Sequence, residues 1–176
     1  MYIVTEFCEK GDLAKFIRHQ KGWIPEPLVL DIFIQVCLGL RYMHSKRVLH
    51  RDIKAMNIFL KKRNRIRIGD FGVAKTLMNE KEFTNTLTGT PFYFSPEVCR
   101  EMPYDQKSDI WALGCLLYEL CCKTQPFKSK GYTGLKRMIK KGGRREAANE
   151  RELPANPDVL HSGNELLDQH DAGNAA

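Results

Sequence analysis

The sequence predicts a single α+β domain that is mainly α-helical and carries a small β-hairpin. Two stretches, residues 25–45 and 107–122, are apolar at most positions and leave only a narrow polar face, which is typical of helices buried on most sides. Short apolar runs at 58–60 and 66–68 flank basic turn residues, as in a β-hairpin. With 176 residues, of which 43% are hydrophobic, the chain can bury a core of ordinary size.

The first elements follow from local patterns near the start of the chain. Residues 2–5 (YIVT) are mostly β-branched or aromatic, which predicts a strand. Leu13 and Ile17 then recur at helical spacing, and Asp12 is a suitable N-cap for a short first helix. The long second helix is predicted over about residues 25–45.

The second half of the chain alternates between a long loop and helices. Residues 70–100 hold few periodic apolar side chains, and a loop of this length in a compact domain is usually functional. The apolar helix at about 107–122 follows, with Ser108 or Asp109 as its predicted cap. A last short helix is predicted around residues 135–139.

Charge and cysteine usage limit the class of protein. The chain has 28 Lys and Arg against 21 Asp and Glu, a net charge of +7, which permits a phosphate-rich partner without requiring one. The densest basic run, residues 61–67, is interpreted as a solvated hairpin turn. A nucleic-acid-binding domain would rest on that run alone, so no specific nucleic-acid partner is expected. None of the six cysteines forms a Cys-x-x-Cys pair, which argues against a zinc site or disulfide framework and favours a reducing compartment.

No targeting or membrane segment is expected from the sequence. Met1 runs directly into Tyr2 without a basic leader. Polar and charged side chains interrupt the apolar runs, so none is expected to reach the roughly 18 residues that a membrane span needs. These features predict an intracellular and cytoplasmic protein, and they leave nuclear or cytoskeletal association open.

Four motifs carry the chemical information, and they occur in a fixed order. Residues 50–57 read HRDIKAMN, and 70–72 read DFG. Residues 89–97 read GTPFYFSPE, and 108–111 read SDIW. A single triplet could be a helix cap or a plain turn, but four motifs in order at these spacings are not explained by chance.

These motifs resemble the catalytic half of a eukaryotic protein kinase, and the text around them is similar to NIMA-related (Nek-like) Ser/Thr kinases. NIFL at 57–60, KSDIW at 107–111 and EFCE at 6–9 followed by GDL at 11–13 support that subfamily. The resemblance implies a protein-kinase-like fold and transfer of the γ-phosphate of Mg·ATP to Ser or Thr hydroxyls of protein substrates.

The resemblance implies a role for each polar residue of the catalytic loop. Asp52 is the candidate catalytic base that accepts or orients the substrate hydroxyl proton. Lys54 would reach the transferring phosphate, and a lysine there is similar to Ser/Thr rather than tyrosine kinases. Asn57 and Asp70 would supply oxygen ligands for Mg²⁺, the expected cofactor.

The resemblance also implies where ATP lies. Residues 2–13 are similar to the hinge between the two kinase lobes, so the backbone of Glu6 and Cys8 would pair with adenine. Thr5 would be the gatekeeper residue, and Phe59 would form an apolar floor under the base. Asp70 completes the implied ATP-binding set.

Further residues have implied structural roles. In the family, His50 packs against the Phe of the DFG triplet, here Phe71, so His50 is a core residue rather than an acid or base. Asp109 would accept backbone N–H groups of the 50–57 loop and hold Asp52 in place. Trp111 is a core residue, and Glu97 would require a buried arginine that the sequence does not offer at the expected distance.

The segment between Asp70 and Glu97 resembles an activation segment. Thr84, Thr86 and Thr88 are phosphorylation candidates, and Thr86 has the spacing of the regulatory site. A phosphate there could pair with Arg51 beside the catalytic aspartate. Thr90 would instead position the substrate, because its hydroxyl would bond to Asp52 and Lys54.

The sequence also departs from the kinase pattern. No Gly-x-Gly-x-x-Gly occurs, so residues 1–143 are interpreted as a partial kinase domain whose N-terminal β-lobe is missing, and 144–176 as a weakly ordered, divergent tail. This truncated chain is expected to be weakly active or inactive alone. The alternative is a non-catalytic, kinase-derived binding module or a competitor of a full-length relative. The oligomeric state stays unknown.

Overall fold

The computed structural model describes residue 2, residues 4–76 and residues 90–141. All of them belong to the first of the two units into which the chain divides, Met1–Arg144. The phosphorylation candidates Thr84, Thr86 and Thr88 and the predicted tail 144–176 lie outside the described residues.

The described residues are mainly helical, as the sequence predicts, and they contain a few short strands. The helices are α1 (Leu13–His19), α2 (Glu26–Ser45), α3 (Pro96–Cys99), α4 (Gln106–Cys122) and α5 (Tyr132–Lys140). The strands are β1 (Val48–Leu49), β2 (Ile58–Leu60), β3 (Ile66–Ile68) and β4 (Lys75–Thr76), and 3-10 turns cover Ala55–Asn57, Lys62–Asn64 and Pro91–Tyr93.

The strands form two antiparallel pairs that flank the catalytic loop. The predicted hairpin is confirmed: β2 pairs with β3 in a register that places Ile58 opposite Ile68 and Leu60 opposite Ile66. The shorter pair joins β1 to β4, with Leu49 opposite Lys75. Because β1 pairs with β4, the start of the loop that follows β1 lies next to the end of the loop between β3 and β4.

Helix α2 is the centre of the core. Its side chains Val29, Ile32, Val36 and Leu40 recur every three or four residues and are buried, and α2 packs against α4 and β3. By length and composition α2 could cross a membrane, which corrects the expectation that no stretch is long and apolar enough. Because one side of α2 forms the core, we assign it as a core helix.

Two helix caps show how local chemistry sets the ends of the helices. Asp12 caps α1 as predicted, since its carboxylate accepts the backbone N–H of Lys15 at 2.8 Å. Helix α4 is capped by Asp105 rather than by Ser108 or Asp109, which lie inside the helix. Asp109 lies in the first turn of α4 and is buried.

The predicted strand at residues 2–5 is wrong for the part that the structure describes. Residue 2 and residues 4–8 have no strand partner, and Tyr2 and Val4 are 99% and 95% exposed. A β-branched sequence forms a strand only where another strand completes the hydrogen-bond ladder. Residues 4–8 are irregular, and a turn at residues 9–10 leads to Asp12.

Candidate active site

Three polar side chains meet at the centre of the site. The Lys54 Nζ atom lies 2.6 Å from Asp52 Oδ2 and 2.7 Å from Thr90 Oγ1. The Thr90 hydroxyl donates to Asp52 Oδ1 at 3.0 Å. The 3-10 turn Ala55–Asn57 begins directly after Lys54. The structure therefore brings together the residues that the sequence proposed as base, phosphate contact and substrate-positioning group.

Asn57 holds the aspartate from the other side. Its Nδ2 atom donates to the Asp52 carbonyl oxygen at 2.8 Å and to Asp52 Oδ2 at 3.1 Å. No hydrogen bond among the described residues uses the side-chain oxygen of Asn57, so this oxygen is available as an acceptor. The catalytic loop thus fixes the orientation of Asp52 with a side chain that can still bind a cation.

Asp109 anchors the backbone of the loop, as the sequence predicted. Its Oδ2 atom accepts the N–H of His50 at 3.0 Å, and its Oδ1 atom accepts the N–H of Arg51 at 2.9 Å. Arg51 has a φ of 67°, a left-handed conformation that is uncommon for a residue with a side chain. The buried carboxylate holds this bend in place.

The sequence analysis did not predict the contact between His44 and Asp109. Its Nε2 atom lies 2.9 Å from Asp109 Oδ2, and both side chains are largely buried. His44 therefore orients the carboxylate that positions the catalytic loop. An isolated histidine near the end of an apolar helix carries no local signal of this role.

His50 is a fully buried structural residue, in agreement with the sequence interpretation. Its Nδ1 atom accepts the N–H of Asp52 at 3.3 Å, so its Nε2 atom carries the proton and donates to the Gly69 carbonyl at 3.0 Å. The ring also contacts Phe71, with 5.4 Å between ring centroids. His50 therefore ties the catalytic loop to the DFG triplet.

The hairpin places Asp70 beside Asn57. The Gly69 N–H donates to the Asn57 carbonyl at 2.9 Å, and Asp70 follows with a φ of 63° and an exposed side chain. The described residues hold no group of three His, Cys, Asp or Glu side chains that could bind a metal. One carboxylate and one amide oxygen nevertheless fit Mg²⁺, which takes oxygen ligands and is usually completed by substrate phosphates and water.

The segment at residues 4–12 is fastened to the β2–β3 hairpin. The Glu6 carboxylate pairs with Lys61 and with Arg67, whose Nε atom lies 2.6 Å away. These two cations hold the pKa of Glu6 well below its usual range, at about 2. The backbone N–H of Lys10 donates to the Leu60 carbonyl at 3.1 Å, which continues the attachment.

The residues proposed to contact adenine have the following surroundings in the structure. The Cys8 carbonyl accepts the Gly11 N–H at 3.1 Å, so its second lone pair is the one open to a ligand. Thr5 is exposed. Phe59 lies against Gly69 so closely that an added β-carbon would come within 2.7 Å of the ring, which explains the glycine before Asp70.

Comparison with known proteins decides the family. A model of the protein kinase domain matches residues 1–170. The chain belongs to the protein kinase family. It is 48% identical to mouse serine/threonine-protein kinase Nek3 over 136 residues, which cover 77% of this chain and 27% of Nek3.

Other Nek kinases give the same result. Mouse Nek1 is 51% identical over 130 residues, 73% of this chain and 11% of Nek1, and human Nek11 is 47% identical over 143 residues, 80% of this chain and 22% of Nek11. The chain thus spans about a quarter or less of the length of these relatives. The resemblance to NIMA-related Ser/Thr kinases is confirmed.

A buried pair of side chains that the sequence analysis did not predict contacts the backbone of the catalytic loop. The Tyr93 hydroxyl donates to Glu119 Oε2 and lies 3.5 Å from the Ala55 nitrogen. Burial raises the pKa of Glu119, and burial together with the neighbouring Glu119 raises the pKa of Tyr93. Glu119, one of two acidic residues inside the largely apolar stretch 107–122, was the available signal.

The remaining structural residues of the kinase chain have defined contacts. Glu97 Oε1 accepts the Ser108 hydroxyl at 2.7 Å, so among the described residues a serine rather than an arginine is its partner. Trp111 stacks on Phe127 with 5.7 Å between ring centroids, as expected for a core residue. The Arg51 Nε atom donates to the Val73 carbonyl, which links the catalytic loop to the segment after Asp70.

Proposed function

We propose that this protein transfers the γ-phosphate of Mg·ATP to Ser or Thr hydroxyls of protein substrates, with Asp52 as the catalytic base. The observation that carries the proposal is the contact of Asp52 with Lys54, Asn57 and Thr90. The relatives that match this chain are named serine/threonine-protein kinases, which supports the same reaction class.

The hydrogen bonds of Asp52 leave room for a substrate. Its Oδ2 atom accepts from Lys54 and Asn57, whereas Oδ1 accepts only the Thr90 hydroxyl among the contacts of the described residues. A carboxylate has about four lone-pair positions, so one on Oδ1 is open to a substrate hydroxyl. Asp52 would take the proton from that hydroxyl as its oxygen bonds to the γ-phosphorus, the bond from that phosphorus to the β-phosphate oxygen breaks and ADP leaves, while Lys54 offsets the phosphate charge.

The ATP-side residues follow from the same geometry. Asp70 and Asn57 would hold Mg²⁺, which when bound neutralises phosphate charge. The backbone at Glu6 and Cys8 would pair with adenine, with Phe59 beneath it and Thr5 behind it. The attachment of Glu6 to the hairpin would keep that backbone in register with Phe59.

Two further properties belong to this proposal. Residues 1–176 by themselves would turn over slowly, because Phe7 and Phe71 are exposed and a nucleotide here would be open to water on that side. The protein would work in a reducing, cytoplasmic compartment, because none of its six cysteines forms a Cys-x-x-Cys pair.

The test is phosphate transfer from radiolabelled ATP to three peptides that differ only in carrying Ser, Thr or Tyr, with and without EDTA. The proposal expects labelled Ser or Thr peptide, no labelled Tyr peptide and loss of transfer with EDTA. Peptide binding without any transfer by the complete protein would instead support the non-catalytic module.

A further inference from the structure

The segment that contains α5 has an unusual charge distribution. Residues 123–141 include seven Lys and Arg side chains and not one Asp or Glu. Two of the seven have partners: Lys123 Nζ donates to the Gln20 carbonyl, and Lys136 Nζ lies 2.8 Å from Glu101 Oε1. The other five are exposed, and none forms an ion pair with an acidic side chain of the described residues.

Helix α5 arranges part of this charge on its outer side. Leu135 and Ile139 are buried against the core, whereas Arg137, Lys140 and Lys141 are exposed. Arg100, at the end of α3, reaches the same place, since its Nη2 atom donates to the Lys140 carbonyl at 2.9 Å. We call the surface of Arg100, Arg137, Lys140 and Lys141 the α5 basic face.

Helix stability alone does not account for this charge. Cations in the last turn of a helix offset its dipole, and Arg137 and Lys140 meet that description. Lys128 and Lys130 precede the helix, however, and Arg100 comes from another element. The cations therefore extend beyond the positions where the dipole of α5 would favour them.

Helix α5 lies next to the turn that follows the substrate-positioning Thr90. Helix α5 packs against α3 and against the turn Pro91–Tyr93. That turn follows Thr90, whose hydroxyl contacts both Asp52 and Lys54. A polypeptide resting on α5 would therefore lie near the turn that follows Thr90.

We propose that the α5 basic face is a docking surface for an acidic segment of the protein substrate, close in sequence to the hydroxyl that is phosphorylated. This inference rests on the proposed function and names a class of substrate for it. Complementary charge between such a segment and this face would speed association of the substrate and prolong its binding.

A polypeptide fits this surface better than a nucleic acid does. Nine helical residues span about 13 Å, the length of about four extended peptide residues. Tyr132 and Met138, which also belong to α5, are 47% and 40% exposed and can contact apolar side chains of a peptide. A single-stranded RNA serves as the comparison ligand, because a nucleic acid is the alternative occupant of a basic surface.

The direct test measures binding of a fluorescent peptide to the complete protein without ATP. One peptide carries four Glu residues beside a serine, and its matched partner carries four Gln residues. We expect the acidic peptide to bind at least about tenfold more tightly, with affinity falling as salt rises. Because no phosphate transfer is involved, this result does not depend on catalysis.

Two triple variants assign the binding to α5. Replacing Arg137, Lys140 and Lys141 by Gln should weaken binding of the acidic peptide about tenfold and leave the Gln peptide unchanged. The matched control changes three exposed cations of the hairpin turn, Lys62→Gln, Arg63→Gln and Arg65→Gln, with the same loss of charge. This control should bind the acidic peptide like the unmodified protein.

Equal weakening in the two triple variants would overturn the proposal, because general charge would then explain binding. RNA binding that is tighter than peptide binding at the same salt and is lost in the α5 variant would also overturn it. If the triple α5 variant does not fold, Arg137→Gln with Lys141→Gln should still weaken binding about threefold. In the phosphorylation assay the triple variant should raise KM for the acidic peptide and leave kcat unchanged.

Discussion

The substitution Asp109→Asn tests how the fold positions the catalytic loop. In the structure one carboxylate accepts three donors: His44 Nε2 and the His50 N–H on Oδ2, and the Arg51 N–H on Oδ1. Asparagine has nearly the same shape but only one oxygen. If that oxygen takes the place of Oδ2, the amide group faces the Arg51 N–H, and two donors meet.

The loss in the free energy of unfolding follows from these three hydrogen bonds. Leaving a buried N–H without an acceptor costs about 1–3 kcal/mol, and replacing a charged by a neutral acceptor in the other two bonds costs about 1 kcal/mol each. We therefore expect Asp109→Asn to lower the free energy of unfolding by about 3–5 kcal/mol, out of the roughly 5–15 kcal/mol typical of a domain. Activity should fall as well, because the backbone before Asp52 is released.

Asp105→Asn is the matched control on the same helix. Asp105 accepts the Lys107 N–H at 2.7 Å from an exposed N-cap position, where asparagine serves about as well. Urea unfolding followed by tryptophan fluorescence should show less than about 0.5 kcal/mol of change for this control. A loss of under about 1 kcal/mol for Asp109→Asn would refute the anchoring role, since even one unsatisfied buried N–H costs that much.

Three further predictions concern the groups around the site. Thr90→Val should lower kcat about tenfold or more, because a hydrogen bond to a charged group is lost, whereas Thr90→Ser should retain activity in steady-state assays. Burial raises the pKa of Glu119 above its ordinary 4.5, so its protonated form stabilises the fold below that pH and this stability is lost as the pH rises through the raised pKa. Glu119→Gln should therefore gain stability relative to the unmodified protein between pH 4 and 8 in urea unfolding, and the opposite trend would contradict the assignment. Thr86 should be the main activating phosphosite, so mass spectrometry of active protein should find phosphate there and Thr86→Ala should lower activity; phosphate at Thr84 or Thr88 alone would count against this.

The sequence predicted the helices and the hairpin because their signals are local. Apolar spacing located α2 and α4 to within about a residue of their ends, and alternating apolar residues around a basic turn located β2 and β3. The cap of α4 was wrong because Asp105, Ser108 and Asp109 are all capping residue types within one turn. Composition alone does not rank them.

The contacts that the sequence did not reveal are long-range. His44 meets Asp109 across 65 residues, and Tyr93 meets Glu119 across 26. Nothing in the local pattern of either pair indicates a partner, because their meeting depends on how α2, α4 and the turn before α3 pack. The predicted strand at residues 2–5 failed for a related reason, since a strand depends on a neighbour that its own residues do not specify.

The residues that the motifs identify as candidate catalytic residues do come together in the structure. Asp52, Lys54, Asn57 and Thr90 come from positions 50–57 and 90 and meet in one hydrogen-bonded group. Such motifs are informative because the chemistry fixes residue types at fixed spacing, whereas helix caps and strands accept many alternatives.

The most direct test of the central claim compares kcat for phosphorylation of a Ser/Thr peptide by the complete protein and by its Asp52→Asn variant, at saturating Mg·ATP. The substitution is nearly isosteric and removes the proton acceptor, so we expect unchanged unfolding by urea and a fall in kcat of at least about 100-fold. A folded Asp52→Asn variant whose kcat stays within about threefold of the unmodified protein would contradict the claim that Asp52 is the catalytic base.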